Sequence, residues 1–254
     1  MYIIKRVENN INCINDKAWD FANVANIDKV NWTEFSYAPK TTGKLLYNDY
    51  GIYVQLETNE KPLLARHCNQ NDMVCCDSCM EFFFRPNEND PRYLNFEFNP
   101  FGTMYFAVRT SRYDPVHPNK DKKYFNVKSY VDDKRWVLQF CIPFEFIEEI
   151  FGNHTRTIYG NLYKCGDETI KTHYLTYYPI ASEQPDYHRP EFFGEFVLEY
   201  WTNKNTRLWF VWKYIKRGWV TENNFFSGLD KSIVRISKVG ENYRLTISCN
   251  LYII

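Results

Sequence analysis

Apolar and polar side chains alternate along most of the first ~200 positions of the 254-residue chain, which is the period of strands with one buried face. "KLLYNDYGIYVQLE" (44–57) predicts two strands joined by a turn at Asn48–Gly51. "CMEFFFR" (79–85) and "YLNFEFN" (93–99) predict two more on either side of the loop signal "PNENDP". "TMYFAVRT" (103–110), "YFNVKSYV" (124–131) and "RWVLQFCI" (135–142) follow. "TIYGNLYKC" (157–165), "HYLTYY" (173–178) and "FFGEFVLEY" (192–200) complete the series. One segment reads as a helix, "PFEFIEEIF" (143–151), with Pro143 at its first helical position and Gly152 as its stop. Many short strands with one short helix predict an all-β fold, a β-sandwich.

After Tyr200 the texture changes. "WTNKNTRLWFVWKYIKRGWVTENNFF" mixes four tryptophans with cations, and "SIVRISKVGENYRLTISCNLYII" predicts a hairpin about Gly240–Asn242. The reading is a sandwich domain over 1–200 and an aromatic-rich extension over 201–254. About fifty residues rarely sustain a core alone, so the extension is expected to pack on the sandwich. Its tryptophans suit packing or an interface, which leaves self-association through the extension open.

Composition sharpens this picture. Apolar residues make up 44% of the chain, enough for a sizeable core, and aromatic residues make up 19%, which favours pleated packing and ring stacking. Lys+Arg and Asp+Glu both number 31, with no block of one sign, so no nucleic-acid partner and no membrane surface are expected. The opening "MYIIKRVENNINCIN" has too short an apolar run for a signal peptide. The expected compartment is the cytoplasm, with the cysteines reduced.

Four of the eight cysteines fall between Arg66 and Pro86. Zinc sites favour two Cys-x-x-Cys pairs. Cys76 and Cys79 form one pair, to which Cys68 and His67 could add, but no second pair follows, so a metal-free protein is expected. A thioredoxin-type redox motif would need a helix after the pair, and here a strand follows. Strand alternation gives a simpler place for Cys79. Met80, Phe82 and Phe84 share one face with Leu94, Phe96 and Phe98 if the two strands pair. The other face collects Cys79, Glu81, Asn95 and Glu97, and "YGNLYKC" adds Asn161, Tyr163 and Cys165 opposite Leu162. Such a face is either a solvated surface or a site that hydrogen-bonds hydroxyl groups.

The segments "KLLYNDYGIYV", "DSCMEFFFRP", "YLNFEFNPFG", "GNLYKCGD", "HYLTYYPI" and "PDYHRPEFFGEFVL" together resemble carbohydrate-binding module family 9, in its short, signal-less bacterial form, across roughly residues 30–200. The resemblance implies a DOMON-like β-sandwich holding a small saccharide or chain end without catalysis, in a protein type linked to glycoside hydrolases and carbohydrate catabolism. It implies a stacking aromatic at Tyr187, flanked by His188 and Arg189, and hydroxyl-binding positions at Glu81, Asn95, Glu97, Asn161 and Tyr163. It also implies a structural calcium whose ligands cannot be matched here; no other cofactor is expected. The family's first tryptophan falls at Cys75, so half of the usual aromatic sandwich is absent.

Each position has a plainer reading too. Tyr187 is also an ordinary loop aromatic, Arg189 a residue that ties its loop to a carboxylate, and His188 a structural histidine. Two other functions remain open at this stage. One is a glycoside hydrolase using Glu81 and Glu97 as its carboxylate pair. The other is an interaction protein whose sandwich has lost its sugar.

Overall fold

The computed structural model describes residues 1–199 and the strand segments 234–239 and 242–247. The four-tryptophan segment and the expected packing of the extension lie outside the described residues. The chain divides into two units, Met1–Glu199 and Tyr200–Ile254. In the second, β14 (Val234–Val239) and β15 (Asn242–Ile247) pair antiparallel with Val239 opposite Asn242, the hairpin expected from the sequence.

The first unit holds β1 (Tyr2–Arg6), β2 (Ala25–Asn26), β3 (Lys29–Val30), β4 (Thr41–Tyr47), β5 (Gly51–Thr58), β6 (Cys79–Arg85), β7 (Tyr93–Phe98) and β8 (Met104–Arg109). It continues with β9 (Lys128–Val131), β10 (Trp136–Pro143), α1 (Phe144–Phe151), β11 (Thr157–Gly166), β12 (His173–Thr176) and β13 (Gly194–Leu198). The hydrogen-bonded order is β8-β7-β6-β11-β13-β1-β4-β5-β10-β9, with the short β12, β3 and β2 attached beside β11, β12 and β4. β1 is the joint of this curled sheet. Tyr2–Ile4 pair parallel with β13, and Lys5–Arg6 pair parallel with β4.

The two halves face each other across one apolar core. Met80, Phe82, Phe84, Leu94, Phe96, Phe98 and Phe106 come from one side, and Leu45, Val54, Leu56, Leu138, Phe140 and Ile142 from the other, all but inaccessible. The Phe98 and Phe140 ring centroids lie 4.7 Å apart across the layers. α1 closes one end by burying Phe146 and Ile147. Pro143 caps the helix in extended conformation rather than entering it, and Gly152 ends it at φ 83°, a left-handed backbone that glycine adopts without a Cβ penalty. The expected strand over 124–131 forms only from Lys128. Before it, Asp121 Oδ1 accepts from the amides of Lys123 and Tyr124, Asn126 sits at φ 49°, and this local turn replaces ladder pairing. None of the described helices is long and apolar enough to cross a membrane.

One polar network lies inside this frame. Lys164, on β11 between Leu162 and Gly166, is fully buried. Its Nζ lies 2.7 Å from Glu60 Oε2 and donates to His173 Nε2 at 2.8 Å and to the Cys165 carbonyl at 2.6 Å. His173 Nδ1 sits 2.7 Å from the Lys171 carbonyl, so it carries the proton and leaves Nε2 to accept from Lys164. Ser78 Oγ donates to Glu60 Oε1 at 2.9 Å. The network ties the loop after β5 to β6 and β11.

Removing one partner strands a buried charge. Glu60→Ala is expected to cost about 3–5 kcal/mol in chemical denaturation. Glu60→Leu combined with Lys164→Met should recover much of that loss, because an apolar pair needs no compensation. A Glu60→Ala variant as stable as the parent would show that the ion pair does not hold this loop.

Candidate functional site

The second face of the β6–β7–β8–β11 region is not a solvated surface. Its side chains form cross-strand rows. Tyr105, Glu97, Glu81 and Tyr163 stand in direct register across β8, β7, β6 and β11, and Ala107, Asn95, Phe83 and Asn161 form the next row. Loops cover this face and build a second buried cluster over it, including Trp32, Val74, Phe83, Tyr93, Tyr105, Tyr163, Ile180 and Tyr187. β11 and β6 approach closely at Gly160, where a Cβ would meet the Phe83 carbonyl oxygen at 2.5 Å.

Between floor and loops lies a cavity of about 320 Å³. Glu81, Phe83, Glu97, Tyr105, Arg109 and Cys165 form its floor, with Cys75, Tyr174, Tyr187 and His188 at its sides and Met73, Arg112, Tyr113, Asp167 and Asp186 toward the rim. The helical turn Val74–Cys76 is held over β11 by backbone bonds, Asp167 N to the Cys75 carbonyl at 3.1 Å and Glu168 N to the Cys76 carbonyl at 3.3 Å. That anchoring turns Cys75 toward the cavity.

The floor is a hydrogen-bonded array. Asn95 Nδ2 donates to Glu97 Oε1 at 2.7 Å, and Asn95 Oδ1 accepts from Arg109 Nε at 3.0 Å. Arg109 also donates to the Tyr105 hydroxyl at 2.7 Å and to the Arg112 carbonyl. Glu81 Oε1 accepts from the Cys165 thiol at 3.0 Å. Burial and the facing carboxyl of Glu97 push Glu81 well above the usual carboxylate range. Burial pushes Glu97 up to about 7, against the opposing pull of Asn95 and Arg109. The pair therefore does not carry two full charges at neutral pH, and the floor can both donate and accept hydrogen bonds.

The eight residues singled out from the sequence part company here. Glu81, Glu97, Tyr187 and His188 line the cavity. Asn95 lies directly behind, holding Glu97 and Arg109. Tyr163 supports Tyr187 from below, with ring centroids 4.1 Å apart and planes 7° from parallel. The Tyr187 hydroxyl is tied to the Lys164 and Leu175 carbonyls at 3.0 and 3.2 Å, so the ring is fixed in place. His188 pairs with the Tyr93 hydroxyl at 2.9 Å, and burial, helped by Arg109, lowers its pKa to about 3. Asn161 is a clamp: it donates to the Tyr178 carbonyl at 2.8 Å and accepts from the Tyr178 and Leu162 amides. Arg189 bonds Glu191 Oε1 at 2.6 Å and lies outside the lining, the loop-tying role.

Sequence reasoning missed Tyr105, Arg109, Arg112, Tyr113, Asp167 and Tyr174. Tyr105 and Arg109 carried a usable signal, since they alternate with Phe106 and Val108 on β8 and so share the face of Glu97. The rim residues come from loops, whose placement no periodicity encodes. Among the described residues, the group of His, Cys, Asp and Glu donors that converges closely is Cys79, Glu81 and Cys165. Two thiols and one carboxylate do not fit calcium, which takes six to eight oxygens, so this group is not the calcium site implied by the family likeness.

A β-sandwich with a deep, hydrogen-bonding and ring-lined cavity on one sheet face defines a small-ligand-binding domain. The sequence profile of carbohydrate-binding family 9 matches residues 14–198, and the chain belongs to that family. A candidate carbohydrate-binding protein from Bacteroides uniformis ATCC 8492 has a similar structure, with TM-score 0.67 at 25% identity, covering 78% of this chain and 98% of its own. A family 9 carbohydrate-binding module from Caldicellulosiruptor kristjanssonii, solved with glucose, aligns with TM-score 0.57 at 14% identity over 80% of this chain and 98% of its own. The same kind of module from that organism, solved with cellotriose, gives TM-score 0.57 at 13% identity over 80% and 95%. At those identities the last two establish shared fold. No curated protein matches the chain.

The buried histidines carry a pH signature. His173 and His188 are both held neutral with pKa about 3, His173 by burial and then by Lys164. An unfolded histidine titrates near 6.5, so the stability they support is full above about pH 6.5 and is lost as pH falls toward 3. Glu97 acts in the opposite sense, because its raised pKa favours the fold when protonated and that support fades as pH rises through about 7. His188→Asn should therefore lose less stability than the parent between about pH 7 and pH 4, measured by denaturation midpoints. Identical slopes for the two proteins would refute this assignment.

Proposed function

We propose that this protein binds a small saccharide or chain end, without catalysis, in the cavity over β6, β7, β8 and β11. The observation that carries the reading is the floor, where Glu81, Glu97 and Arg109 present acceptors and donors beside aromatic walls. Sugar hydroxyls both donate and accept, and a half-protonated carboxyl pair beside a guanidinium meets both needs. A volume of about 320 Å³ lies at the small end of ligand sites, which suits one or two sugar rings. Family membership and the saccharide complexes of the Caldicellulosiruptor modules support the same reading.

Tyr187, locked against Tyr163, serves as a rigid wall. Tyr113, 88% exposed at the rim, offers a second ring from the opposite loop. Hydrolysis by Glu81 and Glu97 fits the geometry less well. They stand side by side in cross-strand register on one floor, whereas glycosidase carboxylates flank the scissile bond. A supporting role beside glycoside hydrolases in carbohydrate catabolism is the natural setting for such a protein.

Calorimetry with glucose, cellotriose and a wider saccharide panel tests the site. Glu97→Gln should weaken binding about ten- to a hundredfold, the cost of one charge-assisted hydrogen bond. Tyr113→Ala should weaken it less, because that ring stays partly in water. Equal affinity in both variants would move the site elsewhere. A panel in which nothing binds would favour an interaction protein instead. Cys75→Trp adds the family's missing ring where Cys75 already faces the cavity, and it should tighten binding of whichever sugar the parent holds. Weaker binding with an unchanged melt would mean that the indole fills the ligand's place.

A further inference from the structure

At the cavity floor stand two thiols, Cys165 in the lining and Cys79 beside it, that hydrogen bonding to a saccharide does not require. Cys79 and Cys165 stand directly opposite each other across β6 and β11. Glu81 is the next residue on the same face of β6. One ligand atom from each of the three lies within 4.8 Å of the other two, and all three side chains are buried. We propose that Cys79, Cys165 and Glu81 bind one zinc ion, with a fourth coordination position open to the cavity.

The chemistry of the donors selects the metal. Two thiolates exclude hard cations such as calcium and magnesium, and with one carboxylate they suit zinc. Zn–S bonds of about 2.3 Å and Zn–O bonds of about 2.0–2.2 Å put tetrahedral donors roughly 3.3–3.8 Å apart. The separations here, 3.0 Å between Cys165 Sγ and Glu81 Oε1 and no more than 4.8 Å between any two of the three donors, are close to that range.

Among the described residues no ion pair involves Glu81: its Oε1 accepts from the weakly donating Cys165 thiol, and its cross-strand neighbour is another carboxyl. Binding has to overcome burial, which pushes the Cys79 thiol up to about 12 and raises the Cys165 thiol and the Glu81 carboxyl as well. A divalent ion reverses that preference, and the ligands release their protons to solvent as it binds. Glu81, Cys165 and Cys75 all line the cavity. The ion therefore has an entry path, and its fourth position takes water or a hydroxyl of a bound ligand. The site stands whether or not the cavity holds a saccharide.

The test uses the full chain, reduced and stripped with a chelator. Titration with Co²⁺ should give one equivalent with the charge-transfer absorption of a thiolate-bound ion, displaced by Zn²⁺. Cys79→Ser and Cys165→Ser should each abolish that absorption and weaken Zn²⁺ binding by about a hundredfold or more. Cys13→Ser with Cys68→Ser, both exposed, should leave it unchanged. If a serine variant does not fold, two other readouts decide. Glu81→Gln should weaken Zn²⁺ binding with an unchanged circular dichroism spectrum. Zn²⁺ should also shield Cys79 and Cys165 of the parent protein from alkylation. The proposal is overturned if no thiolate band appears, if the band survives both serine substitutions, or if Zn²⁺ gives no protection. A Cys79–Cys165 disulfide that forms in air, with no metal uptake after reduction, overturns it as well.

Discussion

Everything at the site follows from one constraint: the β6–β7–β11 region is buried on both faces. On one face Phe82, Phe84 and Phe96 meet the opposite half of the sandwich. On the other, Glu81 and Asn95 are equally hidden beneath loops. A strand buried on one side solves its problem with apolar residues. A strand buried on two sides must either be apolar throughout or find a partner for each polar group it carries. Here the second solution prevails. Asn95 bridges Glu97 and Arg109, Arg109 reaches Tyr105, and the cavity is the gap that this array leaves open to ligands.

Much of this was legible in the chain itself. β5, β6, β7, β8 and β10 appear within a residue of where alternation and turn residues put them, and β4 starts three residues earlier, at Thr41. The division of β6 and β7 into a phenylalanine face and a carboxyl–amide face was equally readable, because a period of two assigns faces without tertiary information. What escaped was non-local. β1 looked like a short apolar run, since a strand that pairs parallel with two distant segments leaves no turn signal beside it. The polar face also read as a possible solvated surface, because the loops that bury it announce nothing about where they settle. Asn161 illustrates the limit: alternation placed it on the right face, but its amide is consumed by Tyr178, a contact set by a loop seventeen residues downstream.

The partition of polar groups is also informative. Lys164 of the Lys164–Glu60–His173 network and the Glu81–Glu97–Arg109 array lie on opposite faces of one sheet. In the first, Lys164 donates to His173 and the Cys165 carbonyl, and its charge is cancelled by Glu60. In the second, two carboxyls face each other in a buried place; burial raises both, and Glu97 raises Glu81 further. The first reads as fastening and the second as readiness for a ligand, a contrast that comes from the balance of charges rather than from residue types.

The straddling position of β1 has a consequence for how the protein comes into being. Tyr2 registers with Phe196, near opposite ends of the sandwich domain. At a ribosomal rate of about 5–20 residues per second, the partner of this strand emerges roughly ten to forty seconds after it. During that interval Tyr2 and Ile4 have no ladder on the β13 side, and the two halves of the sheet lack their seam. The nascent domain thus carries two unjoined halves of its sheet for most of its synthesis, and their joining is a single late event rather than a gradual accretion.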